Sequence, residues 1–407
     1  MKKGIGPCLF AVGIDAMGFG LVYPMMTVIL TSTVHPMVPQ EASIFLRHFL
    51  LGLGFLLYPF GMFFGASFMG DLSDILGRKK VLLLCMSGVG VSFLLMGIGS
   101  EFLSLFFLML GRLLSGLMAG NQPIAQAAIS DLSSKETRAS YMSMMTLALS
   151  VGNAFGPLLG GFFSDSKIFP LFSYSTPFYL AGILALSCVV WLGFRFKETM
   201  VERSKKRLNF MRPIHIFLEA FKHREVRFLS LTFLLMQVGF GLYFQMAPVL
   251  LHQRWNYGSA QLGMFNGLIG ISFAIALLVG MRWALSRWKI ETITVATLFL
   301  TGIFQCMAGL FPKEVAMWIF AVPVALFDCL AYTGMLTAFS KAVDARSQGW
   351  AMGVSGSVMA LSWVIAGLAT NLISSIGLPG LIFFGGLLIV ISGGCMQRYV
   401  RRYTVVS

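Results

Sequence analysis

Runs of about twenty apolar residues recur along the whole chain, and most of the charge is collected in the short stretches between them. Wound as a helix rising about 1.5 Å per residue, each run is long enough to cross a hydrocarbon core of roughly 30 Å. In lipid only helices and closed barrels satisfy their own backbone groups, and these runs lack the alternation of a barrel strand. Twelve spans are therefore expected, at 5–30, 46–69, 81–99, 103–130, 139–163, 176–196, 228–251, 260–281, 290–311, 315–340, 350–372 and 379–397. The fold class is an all-α polytopic membrane protein.

Composition agrees. Of 407 residues 57% are hydrophobic and 11% charged, with mean hydropathy +0.82, whereas soluble domains carry roughly 25% charged residues. Met1-Lys2-Lys3 leads directly into a long span with no small-residue cleavage site after a short apolar core, so no cleaved leader is expected. The net charge of +14 is explained by where the basic residues lie. Twenty-five of the 30 lysines and arginines fall on the side of the termini, from Lys2 and Lys3 through Arg346 to Arg402. The opposite side holds only Arg47, Lys167, Arg254 and Lys313, and Arg112 falls within a span. This bias places both termini in the cytoplasm and makes lipid, not nucleic acid, the partner of the basic residues. The six cysteines stand singly and form neither a metal-ligand pattern nor a disulfide framework.

The longest stretch without a span runs from Lys197 to Arg227 and divides the spans six and six. The expected organisation is an N-terminal six-helix bundle (1–196), a cytoplasmic linker (197–227) and a C-terminal six-helix bundle (228–407). Within the linker, the mixed apolar and charged residues from Ile214 to Phe228 suit a short helix on the membrane surface. Equal halves suggest an internally duplicated transporter. The loop GDLSDILGRKK after span 2 is echoed in position by GMRWALSRWKIE after span 8, although both aspartates are lost there.

The loop GDLSDILGRKK, Gly70 to Lys80, resembles the signature of the major facilitator superfamily. Gly70, Leu72, Asp74, Gly77, Arg78 and Lys79 match its pattern, with Ser73 where alanine is common. LGRLLSGLMAG resembles the family's fourth-span motif through Arg112 and Gly116, and GNAFGPLLGG resembles the fifth-span motif of its antiporter branch. DAMGFGLVYP in the first span and GRLLSG together are similar to tetracycline/proton antiporters and related drug exporters; SQGWAMG opens span 11 in a common pattern. The resemblance implies two six-helix bundles, a monomer in a bacterial inner membrane and a drug-like or small amphipathic cargo. It also implies no cofactor other than a proton gradient. Gly70, Asp74, Gly77, Arg78 and Lys79 would form a conformational latch near the start of span 11.

Three charges inside the spans carry the candidate chemistry. Asp15 lies about 15 Å in from Ile5, and Arg112 about 14 Å in from Leu103 on the other face, so both reach the midplane. A lone charge there costs about 2.5–3.5 kcal/mol on insertion scales, so such groups face each other or a watery cavity. Two readings stand: an architectural pair, or proton coupling. A carboxylate holds its proton more tightly in apolar surroundings and less tightly beside an arginine, so a small movement can switch it. Arginine keeps its proton, which leaves the carboxylate as carrier. Asp328 in span 10 is a second acid where these exporters usually carry none; it is either a second proton or cation site or a hydrogen-bonding group within the C-terminal half.

Gly152, Gly156 and Gly160 recur every fourth residue in span 5 and share one face, with Pro157 among them, while Gly116 and Gly120 form a similar strip in span 4. These are candidate packing or hinge positions. Candidate cavity residues are Asn121, Gln122 and Gln126 in span 4, Gln237 and Gln245 in span 7, and Asn266 in span 8, with Phe240, Tyr243 and Trp363 as aromatic companions. The expected function is proton-driven export by alternating access. The alternative is a polar-metabolite or siderophore carrier on the same fold. An enzyme is not expected: the chain has no His-Glu-x-x-His, no convincing nucleophile elbow and no phosphate loop, and its five histidines form no metal set.

Overall fold

The computed structural model describes residues 4–32, 35–200, 208, 210–344 and 347–403, and its regular elements are all helical. Lys2, Lys3, Arg346 and linker positions 201–207 and 209 lie outside the described residues. The first half of the chain forms α1 (Ile5–Thr31), α2 (Ile44–Leu76), α3 (Arg78–Glu101), α4 (Leu105–Leu117), α5 (Asn121–Leu132), α6 (Lys135–Ser164) and α7 (Thr176–Arg195). After the short α8 (Arg212–Ala220) come α9 (Arg224–Trp255), α10 (Ser259–Ile275), α11 (Met281–Leu285) and α12 (Ile290–Leu310). The chain then continues through α13 (Glu314–Lys341), α14 (Gln348–Leu368), α15 (Ile373–Ile376) and α16 (Leu378–Tyr403).

Eleven helical stretches among the described residues are long and apolar enough to cross a bilayer. The fourth expected span, 103–130, differs: it is split into α4 and α5 by a turn at 118–120. Pro123, in the first turn of α5, favours the break, although Pro24, Pro59, Pro157, Pro248 and Pro323 are carried inside unbroken helices. It has no N–H to give, and its ring collides with the carbonyl four residues back, that of Ala119. The chain tightens instead, with Ala119 N–H donating to Gly116 at 3.0 Å and Gly120 N–H to Met118 at 2.7 Å. The linker helix is also shorter than expected. Phe221, Lys222 and His223 donate three residues back, to Leu218, Glu219 and Ala220, which ends α8 and lets α9 start afresh at Arg224. Span 8 contains a π turn over Ala276–Gly280 between α10 and α11, which the hydropathy pattern does not register.

The described residues divide into two compact units. One comprises Met1–Ala42, Leu57–Arg212 and Gly258–Gly267; the other Ser43–Leu56, Pro213–Tyr257 and Leu268–Ser407. In the first, α1 packs on α6 and α3 on α7. In the second, α9 packs on α14 and α12 on α16. Counted by spans, each half pairs its first with its fifth and its third with its sixth.

The α1–α6 contact is a backbone contact. A methyl group placed on Gly152, Gly156 or Gly160 would collide with the carbonyl oxygens of Gly13, Met17 and Leu21, one turn apart along α1. Pro157 packs in the same seam, against Gly20. The second unit has a comparable staple: buried Gln305 on α12 donates to Gly239 of α9 at 2.8 Å and to Ile382 of α16 at 3.2 Å.

Gly156→Ala is therefore expected to cost about 1–3 kcal/mol through overpacking. Gly356→Ala, where no atom lies within 4 Å of the added carbon, should be neutral or slightly stabilising. Melting temperatures of the two variants in lipid nanodiscs check the contrast.

Candidate functional site

The break between α4 and α5 decides what Asp15 meets. It makes Asn121 the first residue of α5, fully buried, and the Asn121 amide Nδ2 donates to Asp15 Oδ1 at 3.5 Å. Asp15 itself is partly buried, held toward α5 inside the first unit. Interrupted helices are where transporters recurrently place binding groups, because only there can backbone ends and side chains meet a ligand at mid-membrane depth.

Arg112 on α4 is the bulkiest fully buried side chain, 1% exposed. Its guanidinium lies 5.2 Å from the ring centre of Tyr58 and 5.8 Å from that of Tyr23. Phe19 closes the cluster, edge-on to Tyr23 at 5.2 Å and tilted to Tyr58 at 5.4 Å. Each such cation–ring contact is worth about 2 kcal/mol when desolvated. Arg112 can reach both rings because α4 is wedged against its neighbours at glycines. A Cβ on Gly116 would strike the Tyr58 carbonyl, while Gly61 and Gly65 of α2 lie against the backbone at Leu113–Leu117. Gly111 faces Ser92 and Met96 of α3, and Gly120 faces Met69 and Cys85. Gln122 and Gln126 lie on the exposed face of α5, away from Asn121.

In the second unit, Asp328 on α13 is 4% exposed, and its Oδ1 has no hydrogen-bond partner among the described residues. Both amide atoms of Gln245 and the hydroxyl of Tyr243, on α9, share that condition. Gln237 is buried on the same helix. Phe240, Phe244 and Trp363 form an aromatic group nearby on α9 and α14, with Trp363 5.5 Å from Phe244 and 6.5 Å from Phe240. Asn266 belongs to the first unit, buried, with both amide atoms lacking a partner among the described residues. A buried polar atom left unsatisfied costs about 1–3 kcal/mol, so such positions mark where water or a solute is accommodated.

The signature stretch expected as a loop is helical except at one residue: Gly70–Leu76 closes α2, Arg78 opens α3 and only Gly77 separates them, and around that turn lies a charge network. Gly77 has φ +104°, in the left-handed region where only glycine is at ease. The turn it makes brings the backbone N–H groups of Arg78 and Lys79 onto the Glu198 carboxylate, at 2.8 and 3.2 Å, so Glu198 caps α3. Arg78 pairs with Asp74 at 2.7 Å and lies 3.9 Å from Asp131; Asp131 accepts from Thr199 at 3.3 Å. Lys79 donates to the Gly193 carbonyl at 2.7 Å, and Asp71 pairs with Arg212 at the start of α8. Gly70 has open space around its Cα. Asp131, Glu198, Arg212, Tyr23 and Tyr58 are thus further members of these sites. The two tyrosines did leave a trace in the sequence, because each precedes a proline inside a span (Tyr23-Pro24 and Tyr58-Pro59).

Residues 8–367 match the family model described as Major Facilitator Superfamily. The chain belongs to that family. It is therefore a multi-pass membrane transporter rather than an enzyme, with a small molecule as its cargo. It is 26% identical over 359 residues to the uncharacterized MFS-type transporter YuxJ of Bacillus subtilis, covering 85% of this chain and 88% of that protein. It is 25% identical over 381 residues to the class H tetracycline resistance protein of Pasteurella multocida, covering 90% and 88%. Among solved structures it resembles the human organic anion transporter MFSD10, with TM-score 0.71, 20% identity and coverage of 97% and 99%. That likeness establishes the fold.

Two measurements test the geometry. Arg112→Lys keeps the charge but loses the planar group, and is expected to destabilise the protein by about 1–2 kcal/mol. A double-mutant cycle with Tyr58→Leu should then show a coupling of about 1 kcal/mol in nanodisc unfolding. Glu198→Ala removes the cap of α3 and should cost about 1 kcal/mol in the same measurement.

Proposed function

We propose that the chain is a proton-coupled antiporter that exports a drug-like or small amphipathic solute by alternating access, acting as a monomer in a bacterial inner membrane with both termini in the cytoplasm. The observation that carries this reading is the placement of Asp15: a carboxylate at mid-membrane depth, turned toward the buried amide of Asn121 rather than toward lipid. Similarity to tetracycline resistance proteins supports the exporter reading over a metabolite carrier.

In this mechanism Asp15 takes a proton from the outer side and gives it up inside. The Asn121 amide can accompany either state, since it donates to the carboxylate or accepts from the carboxylic acid. Each charge crossing gains about 2.3 kcal/mol per 100 mV, enough to concentrate a solute tens-fold. Arg112, held between Tyr23 and Tyr58, supplies a fixed positive charge in the same unit. Asp328 serves as a second acid, on α13 of the other unit, where the aromatic and amide groups of α9 receive the solute. The Gly70–Lys79 loop with Asp131 and Glu198 latches the cytoplasmic ends of the first unit's helices and must release as the transporter turns over. The glycine seam of Gly152, Gly156, Pro157 and Gly160 lets α6 slide along α1 without side chains in the way.

Reconstituted in proteoliposomes with an imposed proton gradient, the protein should drive uphill movement of at least one member of a panel of tetracyclines and amphipathic cationic drugs. Solute addition should release or take up protons. Asp15→Asn is expected to abolish uphill transport while leaving solute exchange down a gradient; undiminished proton-driven transport in that variant would remove the coupling role. Asp328→Asn should keep proton coupling and weaken solute affinity. Asp74→Asn should slow turnover more than it weakens binding, and a pure binding defect would count against the latch.

A further inference from the structure

At the end of the second unit where α9 begins and α16 finishes, there is a cavity of about 450 Å³ with Arg224, Arg227, Arg398 and Arg402 in its wall. We propose that this cavity is a binding site for the phosphate-bearing head of an anionic membrane phospholipid. Neither the transport pathway nor the signature loop uses these residues.

The placement follows from helical spacing. Arg224 and Arg227 are three apart in the first turn of α9, and Arg398 and Arg402 are four apart in the last turns of α16, so each pair lies on one helix face. Packing of α9 on α16 brings the two pairs to one cavity. Among its described lining residues there is no carboxylate. Arg224, Arg227 and Arg398 bring three guanidinium groups to one small volume, with Arg227 also donating to the Phe221 carbonyl at 3.5 Å, and guanidinium is the side chain best matched to phosphate oxygens.

The rest of the wall points to a lipid rather than a soluble phosphate. Phe228 and Tyr399 stack at 6.3 Å with their rings 14° from parallel. Phe228 follows Arg227 into the span and Tyr399 lies between Arg398 and Arg402 in sequence, so the ring pair sits among the arginines in the cavity wall. Leu231, one turn further into the span, also lines the cavity and is 46% exposed. An anionic head with an acyl chain attached satisfies both parts: the phosphate meets the arginines, and the chain follows Leu231 along the apolar surface of α9. Basic pockets between helices at the membrane boundary recognise lipid heads in this way.

The test uses purified, delipidated full-length protein and native mass spectrometry, with phosphatidylglycerol, cardiolipin, phosphatidylcholine and inorganic phosphate as probes. The expected result is retention of phosphatidylglycerol or cardiolipin over phosphatidylcholine, with affinity weakened on the order of thirty-fold in Arg227→Gln/Arg398→Gln. Arg282→Gln/Arg287→Gln, an equal loss of charge outside the cavity, should bind as wild type. Arg227→Lys/Arg398→Lys keeps the charge and guards against misfolding; it should fall between wild type and the glutamine pair. Equal weakening by both glutamine pairs would reduce the site to diffuse attraction and overturn the proposal. Equal retention of phosphatidylcholine, or full displacement of the lipid by millimolar inorganic phosphate, would overturn the lipid assignment.

Discussion

An ionic side chain inside an apolar helix must find within the protein what water would otherwise have supplied, and the first unit is arranged around that demand. Arg112 meets it with two aromatic faces, and Asp15 with an amide. The Tyr58 ring would not be in reach of Arg112 at an ordinary separation of α2 and α4. Side chains larger than hydrogen on Gly61, Gly65, Gly111 and Gly116 would hold α4 away from α2 and α3, and the guanidinium would be left without its rings. The glycines and the charges are thus one device: close backbone approach is what makes the buried cation tolerable.

The interruption of the fourth span extends the same logic. Pro123 sits in the first turn of α5, where its missing N–H leaves no bond unmade, and the turn before it delivers Asn121 to Asp15 at the start of a new helix. A regular helix through 118–120 would place residue 121 at a different angle about the axis. The cost of the broken ladder is limited because the turn carbonyls of Gly116 and Met118 still accept hydrogen bonds. A local defect in regular structure here positions a buried amide against a carboxylate.

The architecture was legible in the sequence because membrane solvation is uncompromising: about twenty apolar residues between charged loops have few alternatives to a spanning helix. The glycine strip of span 5 was equally readable, since a four-residue period fixes a helix face. What was hidden depends on distance in three dimensions. Nothing in the local pattern around Glu198 marks it as the cap of a helix 120 residues earlier, and Asp131 reads as an ordinary charge at the end of a span. The break at 118–120 was signalled by Pro123, but hydropathy averages over a proline and reports one continuous run. Depth alone suggested that Asp15 and Arg112 face each other. The structure sets Asp15 beside the Asn121 amide and Arg112 against Tyr23 and Tyr58, and Tyr58 lies close enough to both charges to feel each.

The two acids now differ in a way that bears on coupling. Asp15 is partly buried with an amide beside it, while Asp328 is nearly inaccessible with an oxygen unsatisfied among the described residues. A proton carrier has to be visited from water in turn, and a partner such as an amide that can donate or accept lets it change state without reorganising its neighbours. Asp15 has such an amide beside it. Asp328 is closed off on α13, in the other unit. Under the proposed function the proton is read by Asp15 in one unit and the cargo by groups of the other.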